Sequence, residues 1–130
     1  MIRVSINRNS LGRIYGFTAR NHGDSIVCAA VSALVLNAVN SIEAFTGETM
    51  AVDTPEGGAG YIRVRLPEIE AGRGGKEADL LLSSMLLGLN HIKEQYPSQI
   101  KIDDRPDPIR TRIEKKGVQN AIIEPAIFRP

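Results

Sequence analysis

Two residues near the N-terminus carry side chains that could together perform nucleophilic catalysis. Cys28 is the only cysteine in the 130-residue sequence, and His22, one of two histidines, precedes it by six positions. The thiolate of a cysteine is a strong nucleophile, and an imidazole beside it can act as general base or general acid. Cys28 and His22 are therefore the candidate catalytic pair.

Cys28 lies in the first turn of a predicted helix, where an anionic sulfur is favoured. Helix-compatible residues extend from Ser25 to about Phe45. If Ser25 is the N-cap, Cys28 is the third helical residue; if Asp24 is the cap, Cys28 moves by one place and stays in the first turn. Unpaired backbone N–H groups and the positive end of the helix dipole stabilise a thiolate there, and the same N–H groups could hold an oxyanion.

Ser25 and Ser32 are candidate supporting residues, Ser25 as the cap and Ser32 through its hydroxyl, one helical turn beyond Cys28 on the same side. Simpler interpretations stay open. A lone cysteine among small apolar residues is often a buried filler, and a helical serine often bonds a carbonyl one turn back. A loop histidine is often merely exposed, and the negative charge of Asp24 would compete with a thiolate. The spacing permits a dyad without demonstrating one.

Length and composition predict one domain without a strong electrostatic preference. A chain of 130 residues is long enough to form one hydrophobic core and too short for two full domains. Because 16 basic residues are balanced by 15 acidic ones, the net charge gives no bulk attraction to polyanions. With no tryptophan, three tyrosines and three phenylalanines, direct nucleic-acid binding is not expected. The most apolar stretch, residues 26–39, is shorter than the about 20 residues that span a bilayer, so no membrane association is expected. A single cysteine and the lack of a signal-peptide pattern predict the reducing cytoplasm.

Alternating apolar and polar residues predict five strands, and helical periodicity predicts two long helices. The predicted strands are residues 2–7, 14–19, 49–54, 61–66 and 100–103, and the predicted helices are 25–45 and 76–96. Gly47 is expected to end the first helix in the left-handed conformation. The order β-β-α-β-β-α-β predicts an α+β fold, with a mixed or antiparallel sheet of about five strands and two long helices on one face.

Specific faces of these elements are expected in the core. The first helix has its apolar stripe at Val27, Val31, Leu34, Val35, Ala38, Ile42 and Phe45, and the second at Leu81, Met85, Leu89, Ile92 and Tyr96. In the second strand, alternation places Ile14 on the side opposite Phe17. Helical stripes and strand alternation of this kind predict helices packed on one sheet face.

No cofactor and no metal site is expected. The glycine-rich segment 72–75 resembles a phosphate loop, but Glu70 stands at the first glycine of a Walker motif. Glu77 follows Lys76 where the motif needs serine or threonine. Two histidines, one cysteine and no compact carboxylate cluster do not support a metal site.

The C-terminal residues differ from the rest of the chain. Residues 104–130 contain four prolines, and the same segment includes an apolar cluster at 121–128. This cluster is too hydrophobic for a free disordered tail, so we expect it to pack on the core or on a partner subunit. The predicted organisation is a domain at 1–103 and a C-terminal extension at 104–130.

His22 is followed by SIVCAAVSAL at residues 25–34, and this combination resembles the signature of the Prp family of ribosomal-processing cysteine proteases. Similarity extends to residues 1–4, 60–64 and 96–100. The resemblance implies a cysteine endopeptidase that removes the N-terminal extension of large-subunit ribosomal protein twenty-seven, cutting after an aromatic residue. It also implies a homodimer and catalytic roles for His22 and Cys28.

Three positions depart from the usual family pattern. Asn21 and Gly23 replace the glycine and alanine beside the histidine, and Ser25 replaces the aspartate three places before the cysteine. Only five residues separate His22 from Cys28, where many members have a longer loop. The short loop implies a more open site or altered specificity. The alternative function is a ribosome-associated binding module of the same fold that does not cut.

Overall fold

Five strands form one mixed sheet in the computed structural model, which describes residues 1–55 and 60–104. They are β1 (Ile2–Arg8), β2 (Ile14–Arg20), β3 (Ala51–Asp53), β4 (Tyr61–Arg65) and β5 (Ile100–Asp104). The sheet order is β3-β4-β2-β1-β5. Neighbouring strands are antiparallel except β1 and β5, which pair in parallel. The predicted mixed sheet is confirmed.

Two long helices cover one face of this sheet. They are α1 (Ser25–Phe45) and α3 (Lys76–Gln95), and a short helix α2 (Pro67–Glu70) lies between them in the chain. Gly88 lets α1 and α3 approach closely, because a Cβ at Gly88 would meet Cδ1 of Leu34 at 2.8 Å. The predicted α+β architecture is thus confirmed. The sequence does not predict α2, since four residues are too few to show a helical period.

The core lies between the sheet and the two long helices. On β1, the buried residues Ile2, Val4 and Ile6 alternate with Arg3 and Ser5 on the other side. We call that other side, which faces away from α1 and α3, the outer face of the sheet. The buried face of α1 consists of Val27, Val31, Val35, Ala38, Val39 and Ile42. Burial of these apolar residues is the main stabilising term of the fold.

A β-bulge in β2 corrects one prediction of the alternation. Asn7 pairs with Gly16 and Arg8 pairs with Ile14, which leaves Tyr15 as an extra residue. An extra residue reverses the alternation of the strand. Ile14 and Phe17 are both 0% exposed and share the core, so their predicted placement on opposite sides is wrong.

The ends of the long helices differ from the predictions. Phe45 is 78% exposed, because the last buried residue of α1 is Ile42, almost one turn earlier. Gly47 is not the left-handed terminator: Thr46 ends α1 in an extended conformation, and its hydroxyl donates to the Ile42 carbonyl at 2.7 Å. α3 ends at Gln95, one residue before the predicted end at 96. Tyr96 follows as the C-cap and is 38% exposed, so its predicted place in the apolar stripe is wrong.

The buried face of α3 is also rotated from its predicted stripe. It contains Ala78, Asp79, Leu82, Met85, Leu86 and Leu89. The predicted Leu81 and Ile92 are only partly buried at its margin. α3 contacts α1, β5 and β2, so the face that it buries is set by several neighbours at once, which a single apolar stripe does not predict.

Two strands differ in length from their predictions. β3 spans three residues instead of the predicted 49–54, and β5 extends one residue beyond the predicted boundary at 103. The added residue, Asp104, accepts two hydrogen bonds from Arg8 of β1, at 2.9 and 3.1 Å. Residues 56–59 and 105–130 lie outside the described residues, and the predicted packing of the C-terminal extension lies there as well.

α1 is long and apolar enough to cross a membrane, contrary to the expectation from its apolar stretch alone. The helix runs for 21 residues rather than the 14 of segment 26–39. Its buried face belongs to the core shared with the sheet and α3. Length and composition of this kind are also found in the central helix of a folded domain.

Candidate functional site

A cleft of about 320 Å³ lies where β2 ends and α1 begins. Its polar walls are formed by Arg20, Asn21, His22, Cys28, Ser32, Thr54, Gly60 and Tyr61, and its apolar walls by Ile2, Ala19, Val31, Val35, Leu36 and Ile62. The cleft therefore brings both members of the candidate catalytic pair, and Ser32, to one space. Ser25 does not line it.

The start of α1 settles which residue is the N-cap. Asp24 has an extended backbone, with φ −68° and ψ 164°, and its carboxylate accepts from the Val27 N–H at 3.0 Å. Asp24 is therefore the cap, and Ser25 is the first helical residue rather than the cap. Cys28 becomes the fourth helical residue, and its own N–H donates to the Asp24 carbonyl at 2.9 Å.

The sulfur of Cys28 is held against the loop that leads into α1. Cys28 is half-buried, and the Gly23 N–H donates to its Sγ at 3.3 Å. The same Sγ lies 3.5 Å from the Gly23 carbonyl oxygen, to which a protonated thiol donates. The backbone of Gly23 thus offers the sulfur a donor and an acceptor, one for each protonation state.

Gln99 anchors this loop, although neither its residue type nor its spacing marks it as a functional residue. Its Oε1 accepts from the Asp24 N–H at 3.0 Å, and its backbone carbonyl accepts from Ile2 at 2.9 Å. A Cβ at Gly23 would meet Gln99 Oε1 at 2.8 Å, so the loop packs directly on the amide. The resemblance over residues 96–100 is the one signal in the sequence that includes Gln99.

His22 is exposed at the rim of the cleft and packs against Gly60. A Cβ at Gly60 would lie 2.6 Å from Nε2 of His22, so the imidazole occupies the space that any larger residue would fill. Asn21 has a left-handed φ of 73°, and its N–H donates to the Gly60 carbonyl at 2.8 Å. The backbone nitrogen of Met1 donates to the His22 carbonyl at 3.1 Å. The histidine is therefore held by contacts with two other segments of the chain.

The structure places the candidate residues together without bonding them to one another. Within residues 1–55 and 60–104, no hydrogen bond joins the His22 imidazole to Cys28 Sγ, and none joins Ser32 to that sulfur. Among the same residues, no group of three or more histidine, cysteine or acidic side chains could hold a metal ion. The chemistry that this arrangement supports is nucleophilic attack by the Cys28 sulfur in a cleft that an imidazole also lines.

The family model described as cysteine protease Prp matches residues 1–101 of this sequence. This chain belongs to the Prp family. The ribosomal processing cysteine protease Prp of Bacillus subtilis is 30% identical over 108 residues, which cover 78% of this chain and 96% of that protein. The Prp match ends before the C-terminal extension.

Two solved Prp structures from Staphylococcus aureus share the fold. One, a complex with a covalently linked product peptide, has a TM-score of 0.73 and 30% identity, and the match covers 81% of this chain and all of that one. The other, a complex with a substrate peptide, has a TM-score of 0.69 and 29% identity over the same share of each chain. The Prp fold therefore accounts for the described sheet and helices of this chain.

Proposed function

We propose that this protein is a cysteine endopeptidase in which Cys28 is the nucleophile and His22 the general acid and base. One observation carries the proposal: both side chains line a single cleft, and a backbone N–H donates to the sulfur. Membership of the Prp family supports the assignment of a thiol protease. Ser32 lines the same cleft, from which its hydroxyl can support the thiol or bound peptide.

The reaction begins when the Cys28 thiolate attacks the scissile carbonyl carbon to give a tetrahedral oxyanion. The carbon–nitrogen bond then breaks, and the His22 imidazolium gives its proton to the leaving amine. The remaining thioester is attacked by water, whose proton returns to His22. Cleavage of the carbon–sulfur bond releases the new carboxylate and regenerates the thiolate.

The oxyanion needs N–H donors at the start of α1. Val27 and Cys28 cannot supply them freely, because their N–H groups bond to Asp24. The first-turn N–H groups of Ser25 and Ile26 have no such partner in the described part of the chain. Neither residue lines the cleft, so we propose that the oxyanion lies beside the cleft walls, at the start of α1, where these donors can reach it. Ser25 would then have its supporting role through the backbone.

The proposed substrate is the N-terminal extension of large-subunit ribosomal protein twenty-seven, processed during ribosome assembly. The names of the curated relatives and the peptides bound to the Staphylococcus aureus structures support a ribosomal peptide substrate. The apolar wall at Val31, Val35 and Ile62 suits an aromatic residue before the cleavage site. The peptide would bind in an extended form beside the start of α1.

The test is cleavage of the extended ribosomal protein from the same organism by the purified protease. Cys28→Ala and His22→Ala are expected to abolish trimming. His91→Ala, on α3 outside the cleft, is the matched control and should trim at the wild-type rate. Trimming by Cys28→Ala at the wild-type rate would remove Cys28 from the mechanism.

A non-catalytic binding module of the same fold is the second candidate. It is favoured by the sulfur being bonded to Gly23 and not to His22 among the described residues. Thiol alkylation separates the two functions, because an activated thiolate reacts with iodoacetamide faster than an ordinary thiol. A folded protein whose Cys28 stays unreactive at pH 7 while it retains the extended peptide supports the binding module.

We further propose a cytoplasmic homodimer. Ile26 and Phe45 of α1 are 69% and 78% exposed, and large apolar side chains at the surface favour an interface between subunits. Sedimentation equilibrium should give twice the monomer mass of 14.2 kDa. Phe45→Ser with Ile26→Ser should weaken that association, and a monomeric wild-type protein would contradict the dimer.

A further inference from the structure

Four neighbouring strands align three cations and one tyrosine across the outer face of the sheet. The register pairs Arg3 with Lys101 of β5 and with Arg20 of β2, and it pairs Arg20 with Tyr61 of β4. All four side chains are exposed. We call the sequence Lys101–Arg3–Arg20–Tyr61 the basic row. Since neighbouring strands lie about 4.8 Å apart, the basic row is about 14 Å long.

The basic row contains three cations and no carboxylate, whereas the adjacent row of the outer face contains Asp103, Arg63 and Asp53. Like charges opposite one another on adjacent strands destabilise a sheet. Arg63, in the next row, pairs with Asp53 across the strands, and Arg65 donates to Glu70 at 2.6 Å. The local repulsion within the basic row is relieved if an external polyanion lies along the row.

We infer that the basic row is a binding surface for single-stranded RNA. Arginine and lysine neutralise backbone phosphates, and an exposed aromatic ring at the end of the row offers a face for base stacking. Tyr61 is 37% exposed, so its ring is accessible. An acidic peptide would match the three charges but would make no use of the tyrosine. RNA binding at this surface departs from the expectation of no nucleic-acid binding, which is based on a net charge of +1 and few aromatic residues. Composition gives no bulk attraction, so binding depends on this row alone.

The basic row also ends beside the cleft. Arg20 and Tyr61 belong both to the row and to the cleft walls. RNA on the outer face would therefore lie next to a peptide in the cleft, so one protein could hold a peptide and an adjoining RNA strand together. RNA binding by the basic row does not depend on proteolysis, and the experiment that tests it does not measure peptide cleavage.

The test measures fluorescence anisotropy of a labelled single-stranded RNA of about ten nucleotides. Three phosphate contacts predict a slope of log K against log salt of about −2.1, or about 18-fold weaker binding between 50 and 200 mM salt. Arg3→Gln with Lys101→Gln should reduce the slope to about −0.7. These two residues lie outside the cleft walls, and circular dichroism checks that the sheet is intact.

Arg63→Gln with Arg65→Gln is the matched control, since both residues lie on the outer face beside an acidic partner. This control variant should bind the RNA with the same slope of log K against log salt as the wild-type protein. The inference is overturned if the wild-type protein leaves the anisotropy unchanged at 50 mM salt, or if both double variants lose the same slope. A glutamate-rich peptide that displaces the RNA at equal concentration would assign the surface to acidic proteins instead.

Discussion

Replacing Gly60 with alanine should displace the His22 imidazole and lower peptide cleavage. The new Cβ would lie 2.6 Å from Nε2, whereas ordinary contact begins at 3.4 Å. The ring must therefore withdraw by about 1 Å. A catalytic group misplaced by about 1 Å costs about 100-fold in rate, which corresponds to about 2.7 kcal/mol of transition-state stabilisation.

Gly72 supplies the control for backbone strain. Gly60 and Gly72 have similar left-handed φ angles of 77° and 84°, but a Cβ at Gly72 would meet nothing within 4 Å. An L-residue in this conformation costs about 1–2 kcal/mol, so both alanine variants should lose that much free energy of unfolding. Only Gly60→Ala should lose activity.

The assay is kcat/KM for a peptide that contains the extension and the mature start of the ribosomal protein, combined with urea unfolding of each variant. Comparing the variants at equal folded fraction separates activity from stability. If Gly60→Ala cleaves as fast as Gly72→Ala while His22→Ala is inactive, the packing of His22 on Gly60 has no part in catalysis.

Other contacts give smaller, separable effects. Asp24→Ala should cost about 1 kcal/mol in urea unfolding by removing the N-cap, and Asp24→Asn should restore most of it; equal stability of all three proteins would contradict the capping role. Gln99→Met removes the acceptor for the Asp24 N–H and should lower kcat/KM about fivefold, because the lost hydrogen bond is equivalent to about 1 kcal/mol. Gln99→Glu keeps an acceptor at this position and should fold normally. Leu89→Ala should cost about 2–5 kcal/mol of unfolding free energy, and Phe45→Ala less than about 0.5, because Leu89 is buried and Phe45 is exposed; similar losses would contradict this description of the core.

The site illustrates how residues distant in the sequence complete a local motif. Cys28 and His22 can be selected from their chemistry and from the predicted start of α1, all within seven residues. Gln99 and Gly60 contact that segment only because β1 pairs with β5 and β2 pairs with β4. Neither residue has a chemistry that would distinguish it from other glutamines and glycines in the sequence. The resemblance to the Prp family includes both residues within similar segments but assigns them no role.

The sequence by itself determined the fold class, the family, the span of α1 and the candidate pair, because each depends on local periodicity or on a contiguous motif. Only the tertiary structure decided that Asp24 caps α1, that a bulge turns Ile14 inward and that Phe45 remains exposed. These outcomes depend on hydrogen-bond geometry and on how far a neighbouring element extends. The periodicity of apolar residues contains no information about either of them. The alignment of the basic row has the same origin: its four side chains come from four separate strands, and only the register of the sheet places them side by side.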